Sequence, residues 1–135
     1  MRAVTALVVL VSGAWAGAVP VDAHHAFAAE FDATQPVTIK GTVTSVEWTN
    51  PHMWLHVDVK DEKGNVVNWA VEGGAPNALL RRGLRRDSLP VGIQVTVEGF
   101  RAKSGKPVVN GRDVIYPDGV KLQFGSSGTG APEKR

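Results

Sequence analysis

Cysteine is absent from the 135 residues. That excludes disulfide staples and thiolate chemistry, so stability must come from an apolar core and any metal must do without soft thiolate ligands. Methionine is scarce, with two in the chain, one of them the first residue. Neither sign of charge dominates. Fifteen Lys and Arg stand against 13 Asp and Glu, for a formal net charge of +2, which makes no bulk field to gather nucleic acid. A GxSxG elbow, an HExxH helix and a phosphate-binding glycine loop are all missing, so no residue is assigned a catalytic role and the chain does not read as an enzyme.

What is there begins with a leader. Met1-Arg2 gives a short positive start, and Ala3 to Val11 is an apolar run of the length of a secretory h-region, followed by small residues. A membrane span needs about 20 apolar residues, whereas this run breaks at Ser12-Gly13 and then meets Pro20. Small-x-small motifs end at Ala18 ("AGA") and at Ala23 ("VDA"). Residues 1–23 therefore read as a signal peptide, and the mature protein is expected in the periplasm or outside the cell, with no membrane span once the leader is gone. Cleavage after Ala23 makes His24 the new N-terminus; cleavage after Ala18 does not. With the shorter product, 135 residues become 112 and the charged counts become 14 and 12 as Arg2 and Asp22 leave. That is one domain's length.

Residues 24–35 read as an N-terminal arm, 36–124 as the folded domain and 125–135 as a disordered tail lacking apolar side chains to order it. In "PVTIKGTVTSVEWTN" (Pro36 to Asn50) Val37, Ile39, Gly41 and Val43 share one face; the parity then shifts to Val46 and Trp48. A one-residue shift is what a bulge produces, so a bend is placed near Ser45. "HMWLHVDVK" puts Met53, Leu55, Val57 and Val59 inward and His52, Trp54, His56 and Asp58 outward; "VVNWAVEG" puts Val67, Trp69 and Val71 inward. A two-residue turn between these strands would pair an apolar face with a polar one. A three-residue loop, Glu62-Lys63-Gly64, keeps the faces matched, with Gly64 left-handed, and sets Asp58 opposite Asn68, His56 opposite Ala70 and Trp54 opposite Glu72.

Pro76 opens a helix whose Leu79, Leu80 and Leu84 face a sheet with Gly83, while Arg81, Arg82, Arg85 and Arg86 form a solvated face. "GIQVTVEGF" supplies a fourth strand with Ile93, Val95 and Val97 inward, "PVVNGRDVIY" a fifth, and Val120 to Phe124 a short apolar segment after "PDG". The order β-β-β-α-β-β with a long bent first strand is that of an all-β, five-to-six-stranded OB-like barrel carrying one helix. Its expected core is Val37, Ile39, Val43, Leu55, Val57, Val67, Trp69, Val71, Leu80, Leu84, Val95 and Val97.

"HHAF", "EWTNPHMWLHV", "EGGAPNALLRRG" and "GSSGTGAP", in that order, resemble a family of small exported bacterial proteins catalogued as a domain of unknown function. The resemblance implies export and a small β-rich domain. It brings no activity and no catalytic residue.

The function is therefore argued from side chains. An outward strand histidine is ordinarily a solvated polar residue, Trp54 can simply pack on a neighbour, and "EGGAP" (Glu72 to Pro76) reads as a strand-to-helix turn. The concentration is harder to set aside, because all four histidines fall in two short motifs, His24-His25 and His52/His56. His52 and His56 lie roughly 13 Å apart along an extended strand, too far to share one ion without help. The 12-residue arm reaches about 40 Å, so His24 and His25 are candidate co-ligands, as is Glu72. If His24 is the N-terminus, its amine and imidazole resemble half of the histidine brace of copper oxygenases, and Cu(II) favours such nitrogen sites. His52, Met53 and Trp54 are similar in type to the ligands of periplasmic OB-fold copper chaperones, although Met53 alternates inward. The leading expectation is a small exported protein binding copper or zinc through His24, His25, His52 and His56, beside a ligand-binding face of Trp54, Asp58 and Glu72. The rival is a metal-free module of the cell envelope that binds a small ligand or a protein partner. A nucleic-acid role using Trp54 and the arginines is disfavoured by export and weak charge.

Overall fold

The first strand does the work of two. The computed structural model describes residues 27–126, so the leader, His24, His25 and the tail from residue 127 lie outside the described residues. Strand β1 (Phe31–Glu47) pairs antiparallel through Pro36–Thr42 with β4 (Gln94–Ala102), and through Thr42–Glu47 with β2 (Trp54–Lys60). The register slips between Val43, opposite Val57, and Ser45, opposite His56, leaving Thr44 as an extra residue. This is the bulge that the parity shift in the sequence requires, and it lets one strand serve both sides of a curved sheet. The strand starts at Phe31, so residues 31–35 of the expected arm belong to it, with a second irregularity between Phe31 and Pro36.

Strands β2 and β3 (Val66–Glu72) form the expected hairpin. Asp61 N–H donates to Asn65 O at 2.8 Å around Glu62, Lys63 and a left-handed Gly64 (φ 83°), and the pairs Asp58–Asn68, His56–Ala70 and Trp54–Glu72 follow. β5 (Val108–Ile115) runs antiparallel to β4 and then parallel to β3, where Ala70, Val71 and Glu72 face Val108, Val109 and Asn110. That pairing closes the ring β1-β2-β3-β5-β4, an all-β, OB-like arrangement; β6 (Lys121–Gln123) adds to the free side of β5.

Two short helices are described where one was expected: residues 27–30 are helical before β1, and the mid-chain helix is shorter than the leucine and arginine pattern suggests. It spans Pro76–Arg81 and ends because Gly83 turns left-handed (φ 101°). Leu84 N–H then donates to Leu79 O at 3.0 Å and Gly83 N–H to Leu80 O at 3.1 Å, a Schellman close that folds Leu84 back on Leu79. Both leucines are buried, and Leu80, one position round the helix, is 38% exposed. Gly83 is thus present for its backbone angle; a Cβ there would meet nothing within 4 Å, so no sheet approaches it.

The core contains Ile39, Val43, Leu55, Val57, Val71, Leu84, Val95 and Val97 as expected, joined by Met53, Leu79, Val109, Val114 and Phe124. Val37 and Trp69 pack at its margin, and Val67 is 40% exposed because β5 pairs only with the last residues of β3. Gly73 is obligatory for another reason: a Cβ there would lie 2.5 Å from the Phe124 ring, which caps the core beneath it. A second cluster forms where Phe27 packs on Phe31 (5.8 Å) and edge-on to Phe100 (5.6 Å). Gly125 N–H donates to Arg112 O at 3.0 Å, so the first residue assigned to the tail is held by β5.

Leu55→Ala should lower the unfolding free energy by about 2–4 kcal/mol, measured by denaturant titration, whereas Val67→Ala should change it by about 0.5 kcal/mol or less. Gly73→Ala should cost about 1–3 kcal/mol by forcing the Phe124 ring aside; an unchanged midpoint would show that the ring yields freely.

Candidate functional site

The register places one row of residues across four strands. Phe100 on β4 faces Asn110 on β5, Asn110 faces Glu72 on β3, and Glu72 faces Trp54 on β2. Adjacent strands lie about 4.8 Å apart, so Phe100 and Glu72 are separated by roughly two strand spacings. Alternation sends Glu72 to the side away from the core, yet it is 8% exposed. Asn110 is buried beside it and donates from Nδ2 to Glu72 Oε1 at 3.5 Å. Burial of this kind is costly for a carboxylate, and it pushes the Glu72 pKa above its ordinary 4.5, an effect opposed by the His52 ring, reinforced by the Glu30 carboxylate and opposed by the Asn110 hydrogen bond.

His52 is the histidine that reaches this row. Its Nδ1 lies 3.0 Å from Gly73 O and 3.7 Å from Glu72 Oε1. A carbonyl oxygen only accepts, so Nδ1 carries the hydrogen and the neutral ring keeps its lone pair on Nε2. Backbone carbonyl and carboxylate beside one ring nitrogen, with the other nitrogen unpartnered among the described residues, is the arrangement that prepares a histidine to ligate. The backbone makes it rigid: Met53 N–H donates to Gly74 O and Gly73 N–H to Met53 O, at 2.9 and 2.8 Å. The peptide Asn50–Pro51, just before, is cis.

The remaining candidates are placed as follows. Trp54 is half-buried beside Glu72. His56 turns toward β1, with Nε2 2.8 Å from Glu47 Oε1, and its carbonyl accepts from Thr44 Oγ1 at the bulge. Asp58 accepts from Asn68 Nδ2 at 2.8 Å, and the same amide reaches Thr44 Oγ1. The outward face is thus resolved into three groups, His52–Glu72–Asn110, His56–Glu47 and Asp58–Asn68–Thr44. Met53 is wholly buried, which withholds its thioether from any site. Among the described residues, no three His, Cys, Asp or Glu side chains gather as a metal site. Asn110, Glu47 and Glu30 were not singled out by sequence; the one hint was a polar Asn inside the apolar stretch "PVVNG".

Residues 10–110 match the model of a family of unknown function, DUF6152. The chain belongs to that family. The match covers most of the sequence and takes in the arm, β1 to β4 and the start of β5; the "GSSGTGAP" motif lies beyond it. No curated protein and no solved structure matches the chain. No helix among the described residues of this DUF6152 protein is long and apolar enough to cross a membrane.

The raised Glu72 pKa has a stability consequence in metal-free protein. A carboxyl whose folded pKa exceeds its unfolded value holds its proton better when folded, so its contribution is full below pH 4.5 and is lost as pH climbs through the raised value. Glu72→Gln should therefore raise the melting temperature at pH 7 and leave it nearly unchanged at about pH 4. Thermal melts at both pH values check this; a variant less stable at pH 7 would mean that the attraction to His52 outweighs the burial cost.

Proposed function

We propose that this protein is an exported binding protein that holds a transition-metal ion, copper or zinc, at a site centred on His52. His24 and His25 of the arm supply the further nitrogen ligands, and Glu72 orients the His52 ring. The observation that carries the reading is the fixed Nδ1 of His52, 3.0 Å from Gly73 O and 3.7 Å from Glu72 Oε1, with the Nε2 lone pair unpartnered among the described residues.

The arm's anchorage supports the rest. Phe27 is buried against Phe100, two strand spacings from Glu72, and Lys103 N–H donates to Glu30 O at 2.9 Å. His25 and His24 precede Phe27 by two and three residues, so chain length alone keeps them within about 7 and 11 Å of its Cα. With cleavage after Ala23, His24 adds its α-amine to the ligand set, suited to Cu(II). His56, engaged with Glu47, stands outside this group.

Calorimetric titration of the processed protein, its N-terminus sequenced, with Cu(II) and with Zn(II) should give one ion per chain. His52→Ala should weaken binding by at least about tenfold, as losing a ligand of few does, while His56→Ala should leave it nearly unchanged. Affinity should fall as pH drops through about 6.5, where imidazole protonates. Equal binding by wild type and His52→Ala would end the proposal. A processed protein that takes up neither ion would leave the metal-free envelope module in place.

A further inference from the structure

The ring is plugged at one end and open at the other. At the plugged end the helix, Leu79, Leu84 and Phe124 cover the core next to Glu72. At the other end the hairpin of β2 and β3 runs on beyond its closure with β5, which engages only Ala70 to Glu72. Val59, Val67 and Trp69 carry the same inward parity as Val57 and Val71. Val57 and Val71 are fully buried, but Val67 is 40% exposed and Val59 and Trp69 are only half-buried. Core-facing apolar side chains therefore line an opening to solvent.

With Pro107 they bound a cleft of about 360 Å³, within the size range of small-molecule sites. Two charged residues stand at its rim, and they are not equivalent. The Asp61 carboxylate is occupied by its own turn, accepting from Lys63 N, Asn65 N and Asn65 Nδ2 at 2.8, 2.8 and 2.9 Å. The Arg101 guanidinium lies 5.3 Å from the Trp69 ring centre and, among the described residues, makes one long bond, 3.3 Å, to Gly105 O. A guanidinium has five donors in a planar fork that matches a carboxylate. The rim thus offers positive charge with donors to spare, and negative charge already satisfied.

We propose that this open end binds a small amphiphilic carboxylate, its apolar body on Val59, Val67 and Trp69 and its head on Arg101. The site is independent of the His52 group, which lies at the opposite end of β3. Arg101 held over Trp69 is preorganised for the head, and the valines exclude water from the chain.

The probe is decanoate, below its micelle concentration, followed by NMR of the Val67 methyls and the Trp69 indole N–H. Saturable shifts at both are expected. Decanol, with the same chain and no charge, should bind about tenfold more weakly, and Arg101→Gln should weaken decanoate by a similar factor, the scale of one lost charge-assisted contact. Val67→Asp should abolish the shift at the Trp69 indole; this position is exposed enough to keep the fold, and the wild-type comparison of decanoate with decanol does not depend on it. His52→Ala should change nothing. Absence of shifts at Val67 and Trp69, or decanol binding as well as decanoate, would overturn the proposal. So would a dimer in sedimentation that Val67→Asp dissociates, which would make a second copy the occupant.

Discussion

Three residue pairs in parallel, Ala70, Val71 and Glu72 against Val108, Val109 and Asn110, hold the rest of the architecture in place. Among the described residues they are the pairing that closes the antiparallel run β3-β2-β1-β4-β5 into a ring, and they join segments about 38 residues apart, as Asn110 and Glu72 show. Such a contact carries a loop-closure cost that local hairpins do not. Burial of Val71 and Val109, both fully inside, offsets it. Gly73 and Phe124 secure the same junction, the bare glycine admitting the ring that seals the core.

Both proposed sites follow from where that pairing stops. On its outer side, closure brings the amide of Asn110 to the carboxylate of Glu72 and buries both, with Phe27 and Phe31 covering the adjoining Phe100. Glu72 would be an ordinary solvated carboxylate on an isolated hairpin. Packed under β5, it becomes a desolvated carboxylate 3.7 Å from His52 Nδ1. On the inner side, β3 below Ala70 has no partner in β5, so its inward residues meet solvent instead of a core. One short pairing thus separates a polar group at the helix end from an apolar opening at the hairpin end.

Histidines of similar appearance in the sequence acquire different surroundings. His52 lies before β2, where two backbone bonds to residues 73 and 74 clamp the chain and a carbonyl fixes its tautomer. His56 lies within β2 beside the bulge and meets an exposed glutamate. An exposed pair of that kind contributes little energy. Burial raises the pKa of Glu72, which is why that group is the stronger candidate for function.

The sequence by itself determined whatever depends on neighbours along the chain. Strict alternation and a glycine at the left-handed position left one register for β2 and β3, and the parity shift after Val43 located the bulge, because a slip of one residue would exchange the two faces. Most of the core followed from the same period of two. Tertiary structure alone decided which outward residues are buried and which inward ones are not. Glu72 and Val67 sit on one strand and invert their expected exposure, because β5, distant in sequence, covers the end of that strand and leaves its beginning bare. Leu80, expected to face the sheet with Leu79 and Leu84, is exposed for a similar reason, since a six-residue helix closed at Gly83 is aimed by its cap and its contact with Leu84, and not by a periodicity it is too short to express.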